Sequence, residues 1–174
     1  LLIWMGARLS TTVLAANALL MIFQSFLAHG LDGFAHATSA LVGEAVGAKN
    51  RKALRATVIA ATLMAACVAT AYALLYGLFG TYLLALLTNI PELRAFAGDY
   101  LIWMVISPIL SVWAYQLDGI FIGATRAREM RNAMLASIAV YTAAIFTLPE
   151  LLGNHGLWAS VMIFMVVRAL TLLI

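Results

Sequence analysis

The chain has 174 residues, of which 65% are hydrophobic and 10% are charged, and its formal net charge is +3. Soluble domains carry about 45–50% apolar and about 25% charged residues. The mean hydropathy is +1.03. A chain this apolar has more apolar side chains than a single core of its size can bury. The composition therefore excludes an ordinary soluble domain and predicts an all-α membrane protein, a polytopic helical bundle with bilayer around it. Cys67 is the only cysteine, so no disulfide forms within the chain.

The first part of the chain is predicted to form the end of one span followed by a long helix. The chain starts with Leu1 inside an apolar run, so we expect residues 1–9 to be the end of a truncated span and the chain to be a fragment. Ser10 supplies N-cap chemistry for the next helix. That second helix is predicted to run over 13–47, where a basic segment ends it.

The middle of the chain contains two further predicted spans. A third helix is expected over 53–79, where two glycines end it, with a short interfacial helix over 81–87. The segment that starts at Asn89 resembles a helix start, with Asn at the N-cap, Pro in the first turn and Glu at the third helical position. A fourth helix is predicted over 89–125. Pro108 lies in its interior and should remove one backbone hydrogen bond and bend it.

Two more helices complete the chain. The fifth is predicted from about 132 to 148 or 152, and residues 153–156 are expected to form a tight turn. The last span is predicted over 157–174. Together these segments predict about five full spans plus a truncated one, in a single transmembrane domain over 1–174.

The loop charges predict an orientation. Residues 48–55 and 126–131 lie on one side and carry seven of the Lys and Arg residues, whereas the loops of the other side carry only Arg8 and Arg94. The positive-inside rule therefore places the two basic segments in the cytoplasm. Arg168, near the end of the last span, is expected on the same side, with its side chain snorkelling to the interface. Nucleic-acid binding by these clusters is disfavoured, because each is short and lies between spans.

Polar residues follow one face of the second helix. The residues at helical spacing are Ser25, His29, Asp32, His36, Gly43 and Gly47. A carboxylate at the centre of a membrane helix costs about 2.5–3.5 kcal/mol, so Asp32 marks a functional candidate, and His29 and His36 are placed to hydrogen-bond to it or to alter its protonation. A metal site is the least favoured interpretation, because no further ligand is evident. A polar packing face and a water-filled cavity that handles cations or substrate both remain open.

A second polar stripe follows the fourth helix. It contains Ser107, Ser111, Tyr115, Asp118 and Thr125, with Gln116 adjacent. Asp118 lies roughly 12 Å from the following basic loop and Asp32 roughly 21 Å from the end of its helix, so the two carboxylates are expected at different depths. Pro108 is a candidate hinge beside a binding site, or else a static kink.

The remaining patterns predict packing and exclude common chemistries. Gly43-x-x-x-Gly47 and Gly119-x-x-x-Gly123 permit close helix approach and are interpreted as packing. No nucleophile–base motif or phosphate loop is present, so we expect neither an enzyme nor a bound cofactor.

Three segments carry a resemblance to a known family. Residues 31–48 resemble the second helix of a six-helix lobe in the multidrug and toxic compound extrusion (MATE) family. Residues 117–132 and 153–158 are similar to the DinF-like branch of that family. The resemblance spans nearly the whole chain in the right order. It implies a transporter of two six-helix lobes around a central cavity, with this chain as helices 7–12, the C-terminal lobe, and with the N-terminal lobe missing.

The resemblance also implies a function and a site. It implies a bacterial inner-membrane antiporter that exports organic, often cationic, drugs or toxic metabolites against a proton or sodium ion. Asp118 matches the acidic residue that other branches use for cation handling. The candidate cation- and substrate-binding residues are thus Asp118, Tyr115, Gln116, Ser111, Asp32, His36 and His29, with Pro108 as the hinge. The expected partners are the small organic substrate, the coupling cation, the lipid bilayer and the N-terminal lobe, and no nucleic acid.

Two other functions stay open from the sequence. A flippase for lipid-linked precursors would share the helices, but is expected to place more cationic residues at its cavity, whereas the charges at membrane depth here are acidic. A structural membrane subunit would use the polar stripes only to pack helices, and neutral replacement of both aspartates would then leave activity intact.

Overall fold

The computed structural model describes residues 2–173. Within that range the chain forms helices and no strands. The helices are α1 (Leu2–Leu9), α2 (Thr11–Gly47), α3 (Arg51–Leu87), α4 (Pro91–Gly98), α5 (Leu101–Gly123), α6 (Ala127–Leu152) and α7 (Asn154–Leu173). Five of them, α2, α3, α5, α6 and α7, are long and apolar enough to cross a membrane. The predicted all-α membrane fold is confirmed.

The spans α2, α5 and α7 run in one direction, and α3 and α6 run in the other. As residue numbers increase along α5, the residue numbers of its contact partners increase on α2 and α7, which are parallel to it. They decrease on α3, which is antiparallel. The pairs are Ser107 with Gln24 and Gln116 with Thr38 on α2, Leu101 with Gly80 and Gln116 with Thr62 on α3, and Trp103 with His155 and Asp118 with Arg168 on α7. The basic segments 48–55 and 126–131 therefore follow the same end of the bundle.

The α2–α5 contact is close because α5 presents glycines to α2. A Cβ atom on Gly119 would collide with the backbone of Ala35, and one on Gly123 would collide with the Ser39 carbonyl. Gly43 of α2 lies next to the carbonyl of Gly123 in turn. The predicted packing role of these glycines is confirmed. Gly47 is different, since a Cβ there would meet nothing within 4 Å.

The third span is longer than the sequence predicted. α3 continues to Leu87, so a separate interfacial helix over 81–87 is wrong. The reason lies in the two glycines taken as helix ends. Neither Gly77 nor Gly80 has a positive φ, so neither breaks the helix, and a Cβ on Gly80 would crowd Leu101 of α5, at 3.2 Å. Gly80 therefore allows close packing against α5, whereas a Cβ on Gly77 would make only ordinary contact with Val105, at 3.8 Å.

The predicted fourth helix is two helices. α4 ends at Gly98, and α5 begins at Leu101 after a turn in which the Tyr100 amide donates to the Ala97 carbonyl, at 3.1 Å. The N-cap position belongs to Ile90 and not to Asn89, so the following Pro and Glu lie at the first and second helical positions. The prediction of a single helix over 89–125 is therefore wrong, whereas α5 does continue through Pro108 as predicted.

The last two helices both begin earlier than predicted. α6 starts at Ala127 rather than 132, with an ion pair between Arg126 and Glu129 across its first turn, at 3.2 Å. α7 starts at Asn154, so only Gly153, with a φ of 57°, makes the turn between them. Ser10 caps α2 as predicted, since its side chain accepts from the Val13 amide at 3.0 Å.

Candidate functional site

Asp118 is held by an arginine of the last span. It lies on α5, one turn before the helix ends, and Arg168 lies on α7. The guanidinium Nε donates to both carboxylate oxygens of Asp118, at 3.2 and 2.9 Å, and a terminal nitrogen donates to Oδ2 at 2.8 Å. The Asp118 side chain keeps only 21% of its surface exposed, and the Arg168 side chain keeps 15%. The pair is a partly buried, multidentate ion pair, the stronger class of charged hydrogen bond.

This pair corrects the expectation for Arg168. The sequence predicts that the side chain snorkels to the cytoplasmic interface, yet its guanidinium turns to Asp118 and to the sulfur of Met134 on α6. The physical reason is that a carboxylate lies on the adjacent parallel helix, and a charge in a membrane lowers its free energy by pairing. Arg168 therefore joins α5, α6 and α7.

A cavity of about 200 Å³ borders the ion pair. It is lined by Ala114, Tyr115, Asp118, Met134, Phe164, Met165 and Arg168. The lining combines one negative and one positive charge with aromatic rings and thioethers. Such a mixture suits the amphipathic surface of an organic ion better than a simple metal ion.

Asp32 and Asp118 lie at similar depths. The register of the parallel contact, in which Ser39 meets Gly123, places Asp32 within about 3 Å of Asp118 along the helix direction. The expectation of different depths is wrong, because α2 continues about two turns beyond the end of α5.

The polar face of α2 is exposed. Ser25, His29, Asp32 and His36 all lie open on the surface of the described residues, so this face does not pack helices within the bundle. The His29 Nδ1 lies 2.6 Å from the Ser25 carbonyl, and neither histidine hydrogen-bonds to Asp32 in the part of the chain that the structure describes. The predicted histidine–aspartate contact is thus not formed. A helix carbonyl one turn away offers His29 a nearer partner.

Two of the predicted site residues lie inside the bundle instead. Gln116 is buried, accepts a hydrogen bond from Thr38 at 3.2 Å and donates to Thr62 at 3.4 Å. Ser111 is also buried, with its hydroxyl 3.5 Å from that of Ser107. Neither lines the cavity beside Asp118. Gln116 joins α5 to α2 and α3, whereas the Ser111 contact lies within α5; both satisfy the need of buried polar groups for partners.

The remaining candidates on and near α5 also lie in different environments. Pro108 is fully buried, so the candidate hinge lies in packed protein. Thr125 falls beyond the end of α5, is exposed and has a φ of 57°. The predicted stripe therefore runs from the packed interior, at Ser107, to an open edge at Tyr115 and Asp118.

Sequence reasoning missed Arg168 and Met134 as members of the site. The available signal was the charge of Arg168 itself, since an ionisable residue inside a span is a functional candidate with a partner to be named. Met134 carried no such signal. Among residues 2–173, no group of three or more His, Cys, Asp or Glu side chains is placed to hold a metal ion.

The family model described as MatE matches residues 1–148. The chain belongs to the MatE family. It is also 44% identical over 168 residues to the DNA damage-inducible protein F of Escherichia coli (strain K12), a match that covers 97% of this chain and 36% of that protein.

The predicted DinF-like resemblance is thereby confirmed, and the chain spans little more than a third of the curated relative it matches. No solved structure matches the chain. Membership of the MatE family and the five candidate spans together make this a multi-pass membrane protein.

Proposed function

We propose that this MatE-family chain is the C-terminal lobe of a cation-coupled antiporter that exports organic, often cationic, compounds. The observation that carries the proposal is the pair of acidic side chains, Asp32 and Asp118, that lie at similar depth on two parallel membrane helices. Acidic residues are expensive there, and one of them borders a cavity of about 200 Å³. An antiporter that exchanges a proton or sodium ion for an organic cation uses acidic side chains at this depth, beside a cavity.

The roles of the residues follow from their positions. Asp118 handles the coupling cation and Asp32 presents a second negative charge on the exposed face of α2. Tyr115 contributes a hydroxyl and an aromatic ring to the cavity that Asp118 borders. Cation binding favours one of the inward- and outward-open states and substrate binding favours the other, so each ligand drives release of the other. The exposed polar face of α2 turns toward the N-terminal lobe in this proposal.

Replacement of Asp118 in the full-length protein tests the function. We expect Asp118→Asn to abolish the resistance to ethidium, a lipophilic cation, that the wild-type protein gives to cells lacking their own efflux pumps. Asp99→Asn is the matched control, because Asp99 is an exposed aspartate between α4 and α5. Equal resistance with the Asp118→Asn and Asp99→Asn proteins, at equal amounts in the membrane, would remove Asp118 from the mechanism.

The two alternatives make different predictions. A structural subunit would keep its activity in the Asp32→Asn, Asp118→Asn double variant, whereas the antiporter loses it. A lipid-linked precursor flippase needs free positive charge for anionic lipid phosphates. The cation at the cavity, Arg168, is neutralised by Asp118, so the geometry favours the antiporter.

Localisation belongs to the same proposal. We place residues 48–55 and 126–131 in the cytoplasm of a bacterial cell, with the five spans in the inner membrane. The seven Lys and Arg residues of these segments support this orientation by the positive-inside rule.

A further inference from the structure

We propose that a groove between α3 and α7 binds one anionic phospholipid, with an acyl chain in the groove and the phosphate at Arg51 and Arg55. The groove lies on another face of α5 than the cavity beside Asp118, since Asp118 is roughly 140° around the helix from Trp113 in the groove. The inference is therefore independent of the antiport function. Its basis is the apolar lining of the groove, its length, and the two arginines on the helix stripe that leads out of it.

The groove is a gap between two helices that share a neighbour. α3 and α7 each pack against α5 but make little contact with each other, so α5 forms the floor of the gap. Its volume is about 410 Å³. The three helices supply branched apolar side chains to it, among them Val58, Leu110, Leu117, Ile120, Val166 and Leu170.

The lining of the groove suits a hydrocarbon chain. Its side chains are apolar or aromatic except those of Thr62 and Gln116. Gln116 donates to Thr62 at 3.4 Å and accepts from Thr38 at 3.2 Å, so these polar groups already have partners. Trp113 and Leu170 lie at the rim and are exposed. Such a surface gains van der Waals contact from an acyl chain and offers few hydrogen bonds to a polar ligand.

The length of the groove matches one leaflet of a bilayer. Along α5 it extends from Leu110 to Ile120, which is about 15 Å at the rise of an α-helix. The hydrocarbon core of a bilayer is about 30 Å thick, so the groove spans about half of it. It reaches Leu173, in the last turn of α7, at the end of the bundle where the basic segments lie. An acyl chain in the groove therefore places its headgroup at that end.

Two arginines lie at this headgroup end, on the stripe of α3 that enters the groove. Positions 51, 55, 58 and 62 share one face of a helix with 3.6 residues per turn, and Val58 and Thr62 line the groove. Arg51 and Arg55 are exposed, and neither forms an ion pair with a side chain of residues 2–173. Guanidinium binds phosphate through paired N–H donors, so the stripe supplies the charge that an anionic headgroup needs.

The same charges disfavour the other occupants of an apolar groove. A lipophilic organic cation would meet two positive charges at the mouth of the groove. A zwitterionic phospholipid carries its own ammonium group beside the phosphate, which the arginines repel. The N-terminal lobe, in the proposed arrangement, faces the exposed polar side chains of α2 instead. An anionic phospholipid matches both the apolar groove and the basic mouth.

Native mass spectrometry of the purified full-length protein tests the site, with phosphatidylglycerol and phosphatidylethanolamine of the same acyl chains as probes. We expect tighter binding of phosphatidylglycerol, and binding about tenfold weaker in the Arg51→Gln, Arg55→Gln double variant, because each basic residue attracts anionic lipid. The Arg128→Gln, Arg131→Gln variant is the matched control, since it loses the same charge from the other basic segment. Equal affinities in the two double variants would overturn the proposal. Displacement of the bound lipid by ethidium would also overturn it and assign the groove to an organic cation.

Trp113 supplies a second readout, because its indole lies at the rim of the groove. Bromine on an acyl chain quenches the fluorescence of an indole that it contacts. The contribution of Trp113 is the difference in quenching between the wild-type and Trp113→Phe proteins in phosphatidylcholine liposomes. We expect this difference to be larger with a small fraction of brominated phosphatidylglycerol than with the same fraction of brominated phosphatidylethanolamine. An equal difference would indicate ordinary bilayer lipid, and no difference with either lipid would indicate a groove covered by protein; both results would overturn the proposal.

Discussion

Asn17 of α2 and Asn154 of α7 exchange two hydrogen bonds through their side-chain amides, at 2.7 and 3.0 Å, although they lie 137 positions apart in the chain. Both residues are buried, and the indole of Trp158 donates to the same oxygen of Asn17 at 2.9 Å. Three polar side chains thus satisfy one another in an apolar interior. They fix the start of α7 against the start of α2.

Loss of this contact should destabilise the protein. Asn17→Ala leaves Asn154 and Trp158 without their partner, and we expect a cost of about 1–2 kcal/mol, within the range for buried hydrogen bonds in soluble and membrane proteins. Thermal unfolding of the purified full-length protein in detergent measures it. Asn132→Ala, at an exposed position, should change the melting temperature little. Strict additivity in the Asn17→Ala, Asn154→Ala double variant would show that the pair does not interact.

The close α2–α5 contact makes Gly119 intolerant of a side chain. Even Gly119→Ala would place a carbon against the backbone of Ala35, and backbone cannot rotate away. We expect destabilisation of about 1–3 kcal/mol, typical of overpacking. Gly47→Ala is the control, since nothing lies within 4 Å of a Cβ there. A Gly119→Ala protein that melts no lower than the Gly47→Ala protein would contradict the observed helix register.

Gln116 should affect stability more than transport. Its amide joins Thr38 of α2 and Thr62 of α3, away from the cavity beside Asp118. Gln116→Leu removes both bonds and leaves the buried Thr38 hydroxyl unpaired, at a cost of about 1 kcal/mol. We expect a lower melting temperature with an unchanged pH dependence of ethidium transport. A shifted pH dependence would return Gln116 to the binding site.

Pro108 remains the proposed hinge. A proline inside a helix removes a backbone hydrogen bond, and here it does so in α5, the helix that carries Asp118. In Pro108→Ala we expect stability to be maintained or increased and the rate of ethidium transport to fall several-fold, because a restored bond stiffens the helix. Transport kinetics and melting should be measured on the same preparation. A wild-type rate would identify Pro108 as a static kink.

The orientation can be read by labelling single cysteines in whole cells. With Cys67 first replaced by Ala, Lys49→Cys and Arg128→Cys should resist a membrane-impermeant maleimide until the cells are opened. Asn89→Cys, between α3 and α4, should react at once, because it lies on the opposite side. The reverse pattern would invert the topology and contradict the positive-inside assignment.

Much of the fold follows from the sequence because hydropathy and span length are local quantities. Five spans appear where the apolar segments are long enough, and the Ser10 cap follows from chemistry within one turn. The error at Gly80 has a physical origin, since glycine in a membrane helix serves close packing as readily as it ends a helix. The sequence holds no sign of which neighbour will approach.

The candidate site was only partly predictable for a related reason. Asp32 and Asp118 stood out because charge at membrane depth is costly, and that cost depends on the segment alone. Whether a polar group on the same stripe lines the cavity beside Asp118 or joins two helices depends on the facing helix. Gln116 therefore proved to be a buried bridge, although it is a neighbour of Tyr115 in sequence.

The sequence by itself determined the membrane class, the spans, the family motifs and the positions of the two acidic residues, because each depends on local composition. Only the tertiary structure decided that Asp118 is paired with Arg168, fifty positions later, and that Asp32 lies at a similar depth without that partner. The physical reason is that ion pairing requires two helix faces to meet in register. That register is set by glycine contacts such as Gly119 on Ala35, which depend on how the whole bundle packs.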